Sequence, residues 1–295
     1  MRGLMVLGAL GGSPWAWHAH PDVWLLVAAL GGGYWSAVRR LGPRYAAPGR
    51  PAVSRRQVTL FSLGLLAVWV HSDWPVHDIG EHYLFSVHMF QHIGFTLVAA
   101  PLLLLGTPDW MIERILGTGR RRAGFARLTR PLAAGVLFNV VTVLAHWPVV
   151  VNTALESHVV HLLVHVVIFS TALLMWFPVL NRIRSLPTMT PGSRMLYLFL
   201  QSVIPTVPAA FLTFGEGVLY RFYATVPRPF AMTAVEDQQL AGALMKIYAG
   251  LLLWGVIVVM FFRWYAADSR DTSGDVLTWD DVERELARSP GGPPE

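Results

Sequence analysis

The sequence predicts an all-α, polytopic membrane helix bundle, and three observations carry that prediction. Hydrophobic residues make up 54% of the 295-residue chain and charged residues only 14%, with a mean hydropathy of +0.47. Runs such as FTLVAAPLLLLG and GLLLWGVIVVMFF leave no polar face for a soluble helix to turn to water. Basic residues collect in alternate connecting segments, the pattern that orients membrane helices.

Stretches that approach the roughly 17–25 residues needed to cross a bilayer occur seven times. They lie at 22–39, 57–74, 82–105, 131–151, 157–180, 195–214 and 238–263, the first interrupted by the glycines at 31–33. The expected organisation is therefore an extracytoplasmic lead-in over 1–21, a seven-helix transmembrane domain over 22–265 and a partly disordered cytoplasmic tail over 266–295. The lead-in has one arginine and a short apolar run without a convincing cleavage site, and is read as uncleaved. In the tail, Thr278 and Asp281 have capping-box spacing, which predicts a short helix over 279–288.

Arginine placement sets the expected orientation. Arg39, Arg40, Arg44, Arg50, Arg55 and Arg56 lie between spans one and two, and Arg114, Arg120, Arg121, Arg122, Arg127 and Arg130 between three and four. Arg182, Arg184, Arg194 and Arg263 fall on the same side, whereas the opposite side has Arg2, Arg221 and Arg228. The positive-inside rule puts the N-terminus outside and the C-terminus in the cytoplasm. The sequence pI of about 9.9 is thus a matter of topology. With one lysine among 23 basic residues and no soluble basic domain, nucleic acid is excluded as a partner and the lipid bilayer is the expected one.

The chain has no cysteine, which excludes disulfides, thiolate metal sites and thiol redox relays. All 11 histidines fall on the outer side or in the outer half of the membrane. His88 and His92 lie four apart in HMFQHIGF, so both rings leave one face of span three, about 9 and 15 Å deep at about 1.5 Å per residue. His161 and His165 on span five lie about 6 and 12 Å deep by the same measure, and His158 falls within about 60° of them on the helical wheel. If the two faces meet, they form a four-nitrogen site reached from outside, with His146 at the end of span four nearby. A lone histidine in a membrane helix ordinarily only bonds its neighbour, but two depth-matched pairs favour a metal site. Imidazole suits copper, zinc, iron and nickel alike. Met89 lies about 100° around the helix from His88 and is read as packing.

Around the mouth, His71, His77, His82, Asp73 and Glu81 form a weaker candidate entrance that would gather cations. His18 and His20 sit there too, read more simply as interfacial residues. Lys246, inside span seven, needs a partner among Asp237, Glu236 and Glu216 or a free carbonyl; Lys246 and Asp237 are candidates for tuning the site. HVVH at 158–161 lacks the glutamate of a zinc hydrolase, and the chain reads as a non-enzyme.

HMFQHIGFTLVAAPLLLLGTP (88–108), HWPVVVNTALESHVVHLLVH (146–165), LLMWFPVL (173–180), VLYRFYA (218–224) and DQQLAG (237–242) together resemble the multi-spanning CtaG-type cytochrome c oxidase assembly factors, over about residues 22–265. The resemblance implies a multi-pass protein of the bacterial plasma membrane that matures a haem–copper oxidase by delivering copper. Its partners would be an oxidase subunit or other assembly factors, with a homo-oligomer left open. It also implies site roles for His88, His92, His146, His161 and His165. Two alternatives stay open: a bis-histidine b-type haem protein in electron transfer or quinone redox, with His92 and His165 as axial ligands, and a non-metal transporter or structural scaffold.

Overall fold

The computed structural model describes residues 13–46, 51–183 and 185–274, with 279, 283 and 284 beyond them. Arg2, Arg50, Arg184, the first 12 residues of the lead-in and most of the expected 279–288 helix lie outside the described residues. Among the described residues the chain is helical and without strands. In order, the helices are α1 (Pro21–Arg40), α2 (Arg55–Ser72), α3 (Val76–His82), α4 (Phe85–Gly106), α5 (Asp109–Leu116), α6 (Gly119–Leu128) and α7 (Pro131–Ala145). There follow α8 (Pro148–Glu156), α9 (His158–Leu180), α10 (Pro191–Val203), α11 (Thr206–Phe214), α12 (Arg221–Thr225) and α13, which begins as Ala234–Ala243 and ends as Ala249–Gly274.

Each expected span is largely helical, but among the described residues four stretches are long and apolar enough to cross a membrane: Phe85–Gly106, His158–Leu180, Pro191–Phe214 and Ala234–Ser269, with a fifth if the bent pair Gly119–Leu128 and Pro131–Ala145 is one span. The glycines at 31–33 do not interrupt α1. The expected fourth span is instead two helices. Pro148, without an N–H, opens α8, and the residue before a proline is pushed out of helical geometry; Trp147 accordingly sits at φ −68° and ψ 134°. His146 is left at the C-terminal cap of α7. The α10–α11 junction differs: Ile204, ahead of Pro205, stays helical at φ −62° and ψ −42°, and Pro205 caps α11, so the two run on as one stretch.

Polarity is arranged for lipid. Leu25, Leu132, Phe211, Phe214 and Phe262 point outward, whereas His88, Gln91, His92, Asn139, Gln201 and Asp237 are buried. A water-soluble bundle would do the reverse. The helices close on one another where side chains are small. A Cβ on Gly106 would stand 2.3 Å from the Phe61 nitrogen, so α2 and α4 touch backbone to backbone there.

Two π-helical turns interrupt the longest helices close to the histidines. Gly94–Ala99 widens α4 just after His92, and Leu244–Tyr248 does the same in α13. Such turns leave carbonyls off the regular ladder. In α4 the Thr96 carbonyl accepts from the Trp176 indole at 2.8 Å, which ties α4 to α9 below the histidines.

Candidate metal centre

Helices α4 and α9 begin at the same end of the bundle, and their first turns present the histidines to each other. The ring centres of His88 lie 5.4 Å from His161 and 5.7 Å from His165. Those of His92 and His165 are 4.8 Å apart, and those of His92 and His146 6.3 Å. One ring nitrogen from each of His88, His161 and His165 falls within 4.8 Å of the others. Three nitrogens bound to one ion at about 2.0–2.1 Å sit about 3.3–3.6 Å apart, so the widest pair of this set has to close by about 1–1.5 Å, shared between the two side chains. The His165 Nε2–H donates to His161 Nε2 at 2.9 Å, a hydrogen bond that an ion held by both rings would replace.

All five of His88, His92, His146, His161 and His165 line a cavity of about 20 Å³. Space for one water begins at about 10–15 Å³, so the cavity has the scale of a single ion or water. Two of its nitrogens, His88 Nδ1 and His92 Nε2, are buried with no hydrogen-bond partner. Buried polar atoms are nearly always satisfied, so two orphans on one cavity call for an occupant. The donor set and the cavity fit a first-row metal ion.

A shell of acceptors orients the rings. Glu81 on α3 accepts from His161 Nδ1 at 2.9 Å and from His77 Nε2 at 3.2 Å. The Gln91 amide donates to His77 Nδ1 at 3.1 Å, which leaves the His77 proton on Nε2, facing Glu81. A carboxylate behind a metal-binding imidazole fixes its tautomer and raises its basicity. Burial pushes the Glu81 carboxyl up, but the His161 hydrogen bond and the neighbouring His77 ring outweigh it and hold it down to about 2.

Other expected site residues do different work. His158 is exposed at the first position of α9; it shares the face of His161, but the helix emerges from the bundle there, so the ring misses the cavity. His71 is pinned by its Nδ1 to the Ala67 carbonyl at 2.7 Å and packs on Phe90 and Phe95. Asp73 accepts from the indoles of Trp24 at 2.7 Å and Trp69 at 2.5 Å and from the Trp74 amide at 2.8 Å, so it anchors α1 to α2. His82 Nδ1 contacts the Asp78 carbonyl at 3.0 Å. Of the expected entrance, His77 and Glu81 alone reach the cluster. His18 and His20 contact the Asp78 carboxylate at 2.9 and 2.8 Å, and the His20 ring centre is 5.0 Å from that of His77. A line of ionisable groups thus runs from exposed His18 through Asp78, His77 and Glu81 to the cavity.

Lys246 bonds Thr206 Oγ1 at 2.7 Å and faces out of the bundle, away from Asp237. Asp237, fully buried, accepts from the Phe85 and Ser86 amides at 2.8 and 2.9 Å. It is the N-terminal anchor of the helix that carries His88 and His92. Gln238 likewise fixes the preceding loop, accepting from Leu219 N at 2.7 Å and donating to the Gly217 carbonyl at 3.1 Å. Two contributors escaped the sequence reading: Gln91, marked only by being a fully buried amide, and Met89, whose sulfur turns to His146.

Fold and site define the class: a helical membrane protein with a small imidazole-lined cavity at one end of the bundle. Residues 32–267 match the family model for the cytochrome c oxidase caa3 assembly factor, Caa3_CtaG. The chain belongs to that family. It is similar to uncharacterized proteins of Mycobacterium bovis and Mycobacterium tuberculosis, each 26% identical over 253 residues, covering 75% of this chain and 37% of the relative. The chain thus spans well under half of their length. No solved structure matches it.

Proposed function

We propose that this protein is a non-catalytic assembly factor of the bacterial plasma membrane that takes up copper as cargo and passes it to a haem–copper oxidase subunit. The observation that carries the proposal is the cavity where imidazoles of α4, α7 and α9 meet, two of their buried nitrogens unpaired. In this reading the helices make seven crossings, with the N-terminus outside and the histidine end facing outward, because the arginines Arg114, Arg120, Arg121 and Arg122 gather at the opposite end.

His88, His161 and His165 hold the cation, His92 and His146 stand on the adjoining wall, and Glu81 keeps the His161 lone pair aimed inward. His77, with Asp78, His18 and His20, leads from the surface to Glu81. The absence of thiolates suits release, since an imidazole set holds copper less firmly than sulfur ligands do.

The test is metal analysis of the purified full-length protein beside His88→Ala/His92→Ala. Wild type is expected to retain about one copper per chain and the double variant to lose it; equal copper in both sinks the proposal. A scaffold without metal would instead support oxidase assembly in both. Sidedness is tested separately in this cysteine-free chain: a membrane-impermeant maleimide applied to intact cells should label Thr153→Cys and spare Thr118→Cys.

A further inference from the structure

His146 and Met89 present two lone pairs to each other. The His146 Nδ1 proton goes to the Thr142 carbonyl at 2.6 Å, so Nε2 is bare, and it faces Met89 Sδ at 3.2 Å. A thioether has no hydrogen to donate, so this contact is not a hydrogen bond. Sulfur packed on an aromatic ring ordinarily stands about 5 Å from it, near the edge; here it meets the ring nitrogen. Both partners are held in place. Met89 is 3% exposed in a cluster with Phe85, Tyr220 and Met245, and the Tyr220 hydroxyl donates to the His146 carbonyl at 3.0 Å. Both also line the histidine cavity.

The separation suits an ion. With metal–nitrogen near 2.0 Å and metal–sulfur near 2.3 Å, a spacing of 3.2 Å corresponds to an angle of roughly 95° at the metal. We propose that Met89 Sδ and His146 Nε2 form a soft face of the cavity that ligates Cu(I) and thereby selects it over zinc. The inference rests on the copper reading above and adds the oxidation state and a sulfur ligand to it. Imidazoles alone do not distinguish among these cations, whereas thioether sulfur favours Cu(I). Binding forms one Cu–N and one Cu–S bond, leaves copper as Cu(I), and displaces no proton because Nε2 carries none. His92, with its unpaired Nε2, stands between this face and the three-imidazole group, so a cation can move from one to the other without leaving the cavity.

Full-length protein in nanodiscs, loaded anaerobically with one equivalent of Cu(I), is examined by copper K-edge X-ray absorption. Wild type should show a sulfur scatterer at about 2.3 Å beside nitrogen. Met89→Leu, which conserves volume, should lose that scatterer and bind Cu(I) at least tenfold more weakly, with Zn(II) affinity changed less than twofold. Copper bound through nitrogen alone in wild type overturns this inference and leaves the delivery proposal standing. A sulfur scatterer that survives in Met89→Leu also overturns it. Wild type that binds no copper overturns both.

Discussion

Asp237→Ala should loosen the histidine-bearing helix from a distance. In the native fold this buried carboxylate accepts from the Phe85 and Ser86 amides at 2.8 and 2.9 Å, and Arg228 approaches it at 3.4 Å. Hydrogen bonds to a charged group contribute about 1.5–3 kcal/mol each, and a buried amide left without a partner costs about the same. Arg228 keeps a second acceptor in the Tyr223 carbonyl, so its loss adds little. The two amide bonds together set the expected destabilisation at about 3–6 kcal/mol. Asp237→Asn, which keeps one acceptor oxygen, should lose about half of that. His88 lies within the first turn that Asp237 anchors, so copper per chain should fall in step with stability. The assay is denaturant unfolding of the detergent-solubilised protein followed by tryptophan fluorescence, with copper measured on the same samples. An Asp237→Ala protein within about 0.5 kcal/mol of wild type, the ordinary range for surface substitutions, would refute the reasoning.

Four further expectations come from the same geometry. Glu81→Gln should lower copper affinity about 10–100-fold, the usual effect of removing a carboxylate behind a ligating histidine, measured by competition with a calibrated chelator. Because the Glu81 carboxyl is depressed from 4.5 to about 2, its contribution to stability is complete above pH 4.5 and lost as pH falls through about 2; unfolding of Glu81→Gln, followed over that range, should lack this part of the acid sensitivity. Gly94→Ala places a Cβ 2.1 Å from the His71 ring and should destabilise by about 1–3 kcal/mol, with His71→Ala in the same chain recovering part of the loss in a double-mutant cycle. His158→Ala and Lys246→Leu should leave copper per chain unchanged, since one side chain is exposed outside the cavity and the other faces away from it; a loss in either would place it at the site after all.

Much of the centre was legible because helical periodicity is rigid. Residues four apart on a helix share a face, so His88/His92 and His161/His165 announced two imidazole pairs, and their counts from the helix starts gave matched depths. The same rule misled at His158, which has the right azimuth and the wrong height: one turn further out, the helix has left the bundle. It also said nothing about the entrance. Asp73 and Glu81 are both acids beside histidines in the sequence, yet one is filled by two indoles and the other orients His161. Which partner a carboxylate finds depends on helices far away in the chain. Lys246 illustrates the point again, because Asp237, one of its candidate partners, instead caps α4.

What the sequence determined by itself was the medium and the chemistry: long apolar runs suited to a bilayer, basic residues gathered in alternate connecting segments, no thiols, and histidine pairs at helical spacing. These are properties of composition and of a period fixed by backbone hydrogen bonding, and they survive without knowledge of any contact. The tertiary structure decided which donors meet. Met89 facing His146, Gln91 completing His77 and Asp237 holding the start of α4 each depend on helix rotation and approach. Those are set by packing between segments as much as about 150 residues apart, where no local periodicity reaches.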